Sequence, residues 1–235
     1  MQVGLIAPPP LLEKCCITNI HYCLPILISK NKKYRSFYTR KALEGEIVIL
    51  DCRKIGWKRT PEDPKICLDA IERLTPTIII LPSVMHSRKR TLEKSLQFLT
   101  YHFQGMKAKF VYCAEGTNPK ELRDSAKDSK ELPVEVFTVA IASHSHRLCT
   151  DLKYPKPLIY IENHQDVREL AHVPEGVLLT SLPVRLGLSG RLLSNYSPTP
   201  SHLTFRESGC DFPEIVKKNI SDTLEIYRGG NNSEM

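Results

Sequence analysis

The chain has 235 residues, 41% of them hydrophobic, which suits one α/β barrel, one open-sheet domain or two small domains. Its formal net charge is +7, from 33 basic and 26 acidic residues, an excess that permits a polyanionic partner without requiring one. The longest apolar runs fall far short of a bilayer span, so no membrane-spanning segment is expected.

Gln2–Pro8, QVGLIAP, reads as a first strand stopped by prolines rather than as a leader. With no leader read, the 8 cysteines are expected to be reduced thiols of a cytoplasmic protein, several of them buried. No CxxC pair occurs and Cys15-Cys16 are adjacent, which is poor geometry for two ligands of one metal. Neither a metal nor a cofactor is expected. Cys16–Ser29 is apolar with one proline and reads as a broken helix. Asn31–Lys41, NKKYRSFYTRK, interleaves Tyr34, Phe37 and Tyr38 with basic residues. Such rings can stack on bases, but a helix with its rings turned inward and its lysines in water is the more ordinary arrangement.

Glu46–Val84 organises the chain. A strand ends in Asp51, a basic loop follows, then a helix carrying Ile66, Leu68, Ala70, Ile71 and Leu74, then a strand through Thr77–Val84. Two strands joined by a helical crossover run parallel, and ligands of parallel α/β folds bind at the carboxyl ends of the strands. Asp51 and Ser83 stand at such ends. The loop after Asp51 holds Arg53, Lys54, Lys58, Arg59 and the single tryptophan, Trp57, and suits a phosphate backbone or plain solvation. His86–Phe103 reads as a helix whose first turn carries Arg88, Lys89 and Arg90, cations that oppose the helix dipole. Lys109–Glu115 is a strand ending in Glu115-Gly116. Asn118-Pro119 then supplies a cap and first turn for a helix to about Ala126.

Val134–Ala142 is the next strand and runs into Ser143-His144-Ser145-His146-Arg147. The two histidines and the arginine suit a phosphate grip or acid–base work, and equally a solvated loop. Pro157–Glu162 and Gly176–Pro183 are further strands, the latter followed by the glycine- and arginine-rich Arg185–Leu193, and His202–Phe205 is a possible short eighth. A final helix is read from Pro213 to Tyr227, and residues 229–235 as a disordered tail behind one domain of residues 1–228. Seven or eight strands, most followed by a helix, argue for a compact (β/α)8 barrel, with a doubly wound open parallel sheet as the alternative. Neither GxGxxG after the first strand nor GxxxxGK[ST] occurs, which argues against dinucleotide and P-loop sites.

Five motifs stand in one order: ILDCRKIGWK, TIIILPSV, TLEKSLQFL, FVYCAEGTNPKELRD and GVLLTSLPVRLGLSGRLL. Together, over residues 1–205, they make the chain resemble the tRNA-guanine transglycosylase superfamily, closest to the compact branch that inserts 7-deazaguanines into DNA. Their order and spacing carry the resemblance, not any single motif. It implies a (β/α)8 barrel acting on a glycosidic bond of a guanine-type base in nucleic acid, DNA more than tRNA. It also implies a possible protein partner or homo-oligomer. Asp51 matches the aspartate of the family's strand, as catalytic acid/base or nucleophile. Ser83, Glu115, Gly116 and Ser181 fall at base-binding positions, and Arg53, Lys54, His144, His146, Arg147 and Arg185 are the phosphate-binding candidates.

The departures are chemical. Leu179 stands where the family carries its nucleophilic aspartate, and leucine cannot form a glycosyl intermediate. Ser83 replaces a base-holding carboxylate. Glu115 replaces a glutamine and, when ionised, only accepts hydrogen bonds. Two readings follow: an enzyme with altered chemistry at the glycosidic bond, or a catalytically degenerate nucleic-acid-binding subunit that partners an active transglycosylase. A barrel unrelated to nucleic acid is the third.

Overall fold

A computed structural model of the chain describes residues 2–15, 17–53, 63–102, 107–142, 158–161, 176–181, 183–184 and 212–232. Eight parallel strands close into a barrel in sequence order, β1 to β8. They are β1 (Gln2–Leu5), β2 (Ile20–Cys23), β3 (Ile47–Asp51), β4 (Ile78–Ile80), β5 (Lys109–Ala114), β6 (Val136–Ala142), β7 (Leu158–Ile161) and β8 (Gly176–Thr180). Strand β8 pairs with β1, placing Leu179 beside Gly4, and this ladder excludes the open doubly wound sheet.

Among the described residues the helices are α1 (Leu12–Cys15), α2 (Pro25–Lys30), α3 (Lys32–Leu43), α4 (Pro64–Leu74), α5 (Arg88–His102), α6 (Pro119–Asp128) and α7 (Phe212–Asn232). Their starts are written locally. Asp63 accepts from Lys65 N at 2.9 Å with Pro64 in the first turn of α4, and Asn118 accepts from Glu121 N at 3.0 Å with Pro119 opening α6. Thr75, at φ 48°, ends α4 in the left-handed region.

Period-2 alternation divides each strand. Ile20, Tyr22, Ile49, Ile78, Ile80, Val111, Cys113, Ala140, Ile159, Ile161 and Leu179 fill the barrel interior. The residues between them, among them Val48, Leu50, Ile79, Phe110, Tyr112 and Ile141, pack outward against the helices. Burial on both faces explains why the strands read as continuous apolar runs. Gly4 makes the seam between β8 and β2 possible, because a Cβ there would lie 2.6 Å from Leu179 Cδ2 and 2.8 Å from Ile20 Cγ2.

Three expectations change, and one of the two readings of α3 is settled. The second strand lies inside Cys16–Ser29, where a broken helix was expected: β2 precedes α2, and Pro25 opens that helix instead of breaking one. With β2 counted, the ring closes without His202–Phe205, which lies outside the described residues. The last helix runs through Asn232, past the Tyr227 end and into the segment expected as a disordered tail. On α3, Tyr34, Phe37 and Tyr38 are all buried, so those rings belong to the core and not to a base-stacking face. No helix among the described residues is long and apolar enough to cross a membrane.

Candidate functional site

The carboxyl ends of β3, β4 and β5 bring together Asp51, Ser83 and Glu115. All three are buried: Asp51 is 0%, Ser83 8% and Glu115 2% exposed. Asp51 is the last residue of β3 and Glu115 directly follows β5. The inward face of β5 runs Val111, Cys113, Glu115, so alternation alone aims the carboxylate into the mouth of the barrel.

Glu115 accepts from Ser83 Oγ at 3.2 Å and from the backbone N–H of His86 at 3.2 Å. Its own N–H donates to Ser125 Oγ on α6 at 3.1 Å, which ties the strand end to the helix behind it. His86 has a φ of 59°, a left-handed conformation unusual for a residue with a side chain. That backbone stands where its N–H meets Glu115. Gly116 is required by close approach, since a Cβ would meet the Leu122 amide nitrogen at 2.8 Å and Glu121 Cβ at 2.9 Å. A cavity of about 450 Å³ opens between α5 and α6, lined among others by His86, Ser87, Arg88, Thr117 and Glu121. Its volume is within the small-molecule range of about 300–1,000 Å³. This space adjoins Glu115 through His86 and does not border Asp51.

Asp51 is engaged from three directions. Arg53 donates Nε to Oδ1 at 3.0 Å and to Oδ2 at 3.1 Å, and Nη2 to Oδ2 at 2.7 Å. The Arg53 backbone N–H adds a bond to Oδ1 at 2.9 Å, and the Tyr22 phenol donates to Oδ2 at 2.5 Å. The remaining guanidinium arm, Nη1, donates to Cys113 Sγ at 3.4 Å, and that thiol lies 3.9 Å from Glu115 Oε1. A polar chain therefore crosses the mouth from Tyr22 on β2 to Ser83 beyond β4.

The charges agree with this wiring. Burial opposes the Arg53 cation, but Asp51 outweighs it and holds the guanidinium protonated beyond its ordinary range. Burial, and then the Asp51 charge, push the Tyr22 phenol well up, so it stays a donor. The Cys113 thiol is pushed up to about 12 by burial, with Arg53 pulling the other way, which makes it a poor nucleophile near neutrality.

The sequence-derived candidates thus part company. Ser83, Glu115 and Gly116 converge. Asp51 is close by but carries a buried ion pair. Arg53, expected at phosphate, points inward with its side chain 10% exposed. Ser181 follows β8, across the ring from β4, and is partly exposed. Leu179, at the nucleophile position, is a fully buried wall of the barrel interior. Lys54, Trp57, His144, His146, Arg147 and Arg185 lie outside the described residues. The cations opening α5 divide: Arg88 is held by Asp128 through two bonds of 2.7 Å, while Lys89 and Arg90 are exposed. That ion pair ties the first turn of α5 to the end of α6 and offsets part of the conflict with the helix dipole.

Sequence reasoning missed Tyr22, Cys113, His86 and Ser125 as parts of the site. Tyr22 was lost with strand β2. Cys113 was legible, because it shares period-2 parity with Glu115 on a recognised strand. The left-handed turn at His86 leaves no composition signal, since no Gly or Asn marks it.

No family model matches the chain, and no curated protein matches it.

Proposed function

We propose that this barrel binds a (7-deaza)guanine-type base of nucleic acid at the carboxyl end of its strands, as a transglycosylase-like protein whose chemistry at the glycosidic bond is altered or lost. One observation carries the reading. Ser83 and Glu115, assigned to base binding from different strands, touch at 3.2 Å, while the nucleophile's position is filled by buried Leu179. A buried carboxylate suits the N–H edge of a guanine, which presents donors side by side. The +7 charge and the exposed Lys89 and Arg90 beside the same mouth are consistent with a phosphate backbone.

Loss of exchange chemistry follows from the two positions where it would start. Displacement at a sugar C1′ needs an anionic nucleophile with a lone pair to offer. Leucine has none, and the Asp51 carboxylate is engaged by Arg53 and Tyr22. An enzyme with altered chemistry would need Asp51 released from that pair. The degenerate subunit, partnered with an active transglycosylase, is therefore the form of the proposal these contacts favour.

The test is binding of the purified chain to single-stranded DNA, duplex DNA and tRNA across a salt series, with base release measured in the same samples. Affinity that falls steeply with salt, loss of about tenfold on Glu115→Gln (a loss of about 1.4 kcal/mol) and no base release are expected. Base release by the chain alone would overturn the degenerate form. Absence of binding to all three at low salt would overturn the nucleic-acid reading.

A further inference from the structure

The Arg53 guanidinium is a planar N–C–N fork of hydrogen-bond donors seated on a carboxylate at the mouth of the barrel, through contacts of 2.7, 3.0 and 3.1 Å. The edge of a guanine has the same fork, with N1–H and the 2-amino group on one carbon. Two bonds from such a fork to one carboxylate form the strongest common neutralising geometry in proteins. The chain thus supplies from its own sequence, two residues past Asp51, a group with the hydrogen-bonding face of the ligand its mouth is suited to hold.

We propose that Arg53 is a built-in competitor: its guanidinium occupies the position at Asp51 that a guanidine-bearing ligand would take, so such a ligand pairs with Asp51 only when Arg53 is displaced. Arg53 is then a specificity-determining residue. With it in place, Glu115 is the carboxylate presented to a ligand. With it gone, the Asp51 carboxylate loses its guanidinium partner, and the mouth gains a second acceptor for a donor fork. Adenine, whose edge pairs one amino donor with an acceptor nitrogen, lacks the fork and gains nothing from the exchange. The position of the group supports an exchange. Arg53 stands in a bend two residues past the end of β3, outside any strand or helix. Among the described residues its side chain is one of two side-chain donors to Asp51, and the other, Tyr22, is anchored on β2. This inference rests on reading the mouth as a base site, and the experiment separates the two.

Wild type, Arg53→Ala and Glu115→Gln are compared by thermal melting and titration calorimetry, using millimolar guanidinium chloride, equimolar urea, 7-deazaguanine and adenine as probes. Guanidinium is expected to raise the melting temperature of Arg53→Ala and not of wild type, with urea raising neither. 7-Deazaguanine is expected to bind Arg53→Ala at least tenfold tighter than wild type, and adenine to bind both alike. Equal responses of wild type and Arg53→Ala to guanidinium and to 7-deazaguanine would overturn the proposal. Should Arg53→Ala be unfolded alone, recovery of the native circular dichroism spectrum on adding guanidinium supports it. Should it stay unfolded, Arg53→Gln decides: tighter 7-deazaguanine binding than wild type supports the proposal, and equal binding overturns it. If wild type binds 7-deazaguanine, Glu115→Gln weakens it and Arg53→Ala changes nothing, the base site stands and the competitor fails. If guanidinium rescues Arg53→Ala while 7-deazaguanine binds no variant, the competitor stands and the base site fails.

Discussion

Burial sets the proton count of His21, far from the mouth and on the outward face of β2. Its ring meets Phe37 and Tyr38 edge-on at 6.0 and 6.4 Å, with the Glu46 carboxylate on Nε2. Desolvation lowers its pKa from 6.5, and the attraction of Glu46 only partly opposes this, with Lys41 acting in the same direction as burial and Glu44 against it. At neutral pH the ring is therefore uncharged and donates to Glu46. Burial pushes the Glu46 carboxyl up, but bonds from His21 and Lys41 more than offset that and keep it ionised. For an imidazole whose folded pKa lies below its unfolded value, stability is complete above the unfolded value and is lost as pH falls through the folded one. The melting temperature is thus expected to be level above about pH 7 and to fall as the pH drops below about 6.5. His21→Gln, which cannot titrate, should flatten that fall. An unchanged slope in the variant would locate the acid sensitivity elsewhere. None of this is readable from the sequence, where Ile20-His21-Tyr22-Cys23 sits in a stretch that reads as a broken helix. A four-residue strand is too short to display its period, and the partner of His21 is 25 positions away.

Elements that carry their own punctuation were legible, and α6 is the clearest. Asn118-Pro119 announced its start, and the Asn118 side chain does accept from Glu121 N at 3.0 Å, while Glu121 accepts from the Thr117 N–H at 2.9 Å. Because Ser125 on this helix holds the Glu115 amide, the cap also serves the site. Asn118→Ala is expected to cost about 1 kcal/mol and Asn118→Gly only a few tenths, read as shifts of the urea midpoint at constant slope. Equal effects for the two would mean that the backbone turn, not the side-chain acceptor, starts the helix. The strands ending in Asp51 and Glu115 were legible for a related reason: a polar residue closing an apolar run marks where the chain leaves the sheet. Whether that residue then faces a ligand or a salt bridge depends on which neighbours arrive, and for Asp51 the neighbour was Arg53.

At the scale of the molecule, closure rests on the seam where β8 meets β1. Gly4 lies under Leu179 and beside Ile20, with no space for a further carbon. Gly4→Val is expected to destabilise the barrel by about 1–3 kcal/mol through overpacking. The double variant Gly4→Ala/Leu179→Ala should be less destabilised than the sum of its single changes, because each relieves the other. Denaturation midpoints of the four proteins test this, and strict additivity would show that the two side chains do not share the space. Leu179 thus has a structural task at the position where the resemblance places a nucleophile, and a carboxylate there would be buried against an apolar interior.

By itself the sequence determined the class of fold, most strand positions, the start of α6 and the two carboxylates at strand ends. Those features depend on local periodicity, caps and turns, which a linear chain displays. Only the tertiary structure decided that β2 completes the ring, that Leu179 is wall rather than chemistry, that Ser83 meets Glu115 and that Arg53 neutralises Asp51. Each of these depends on which strands become neighbours and which side chains share a desolvated space. The period of a strand shows that a residue points inward, but it does not identify what the residue meets there.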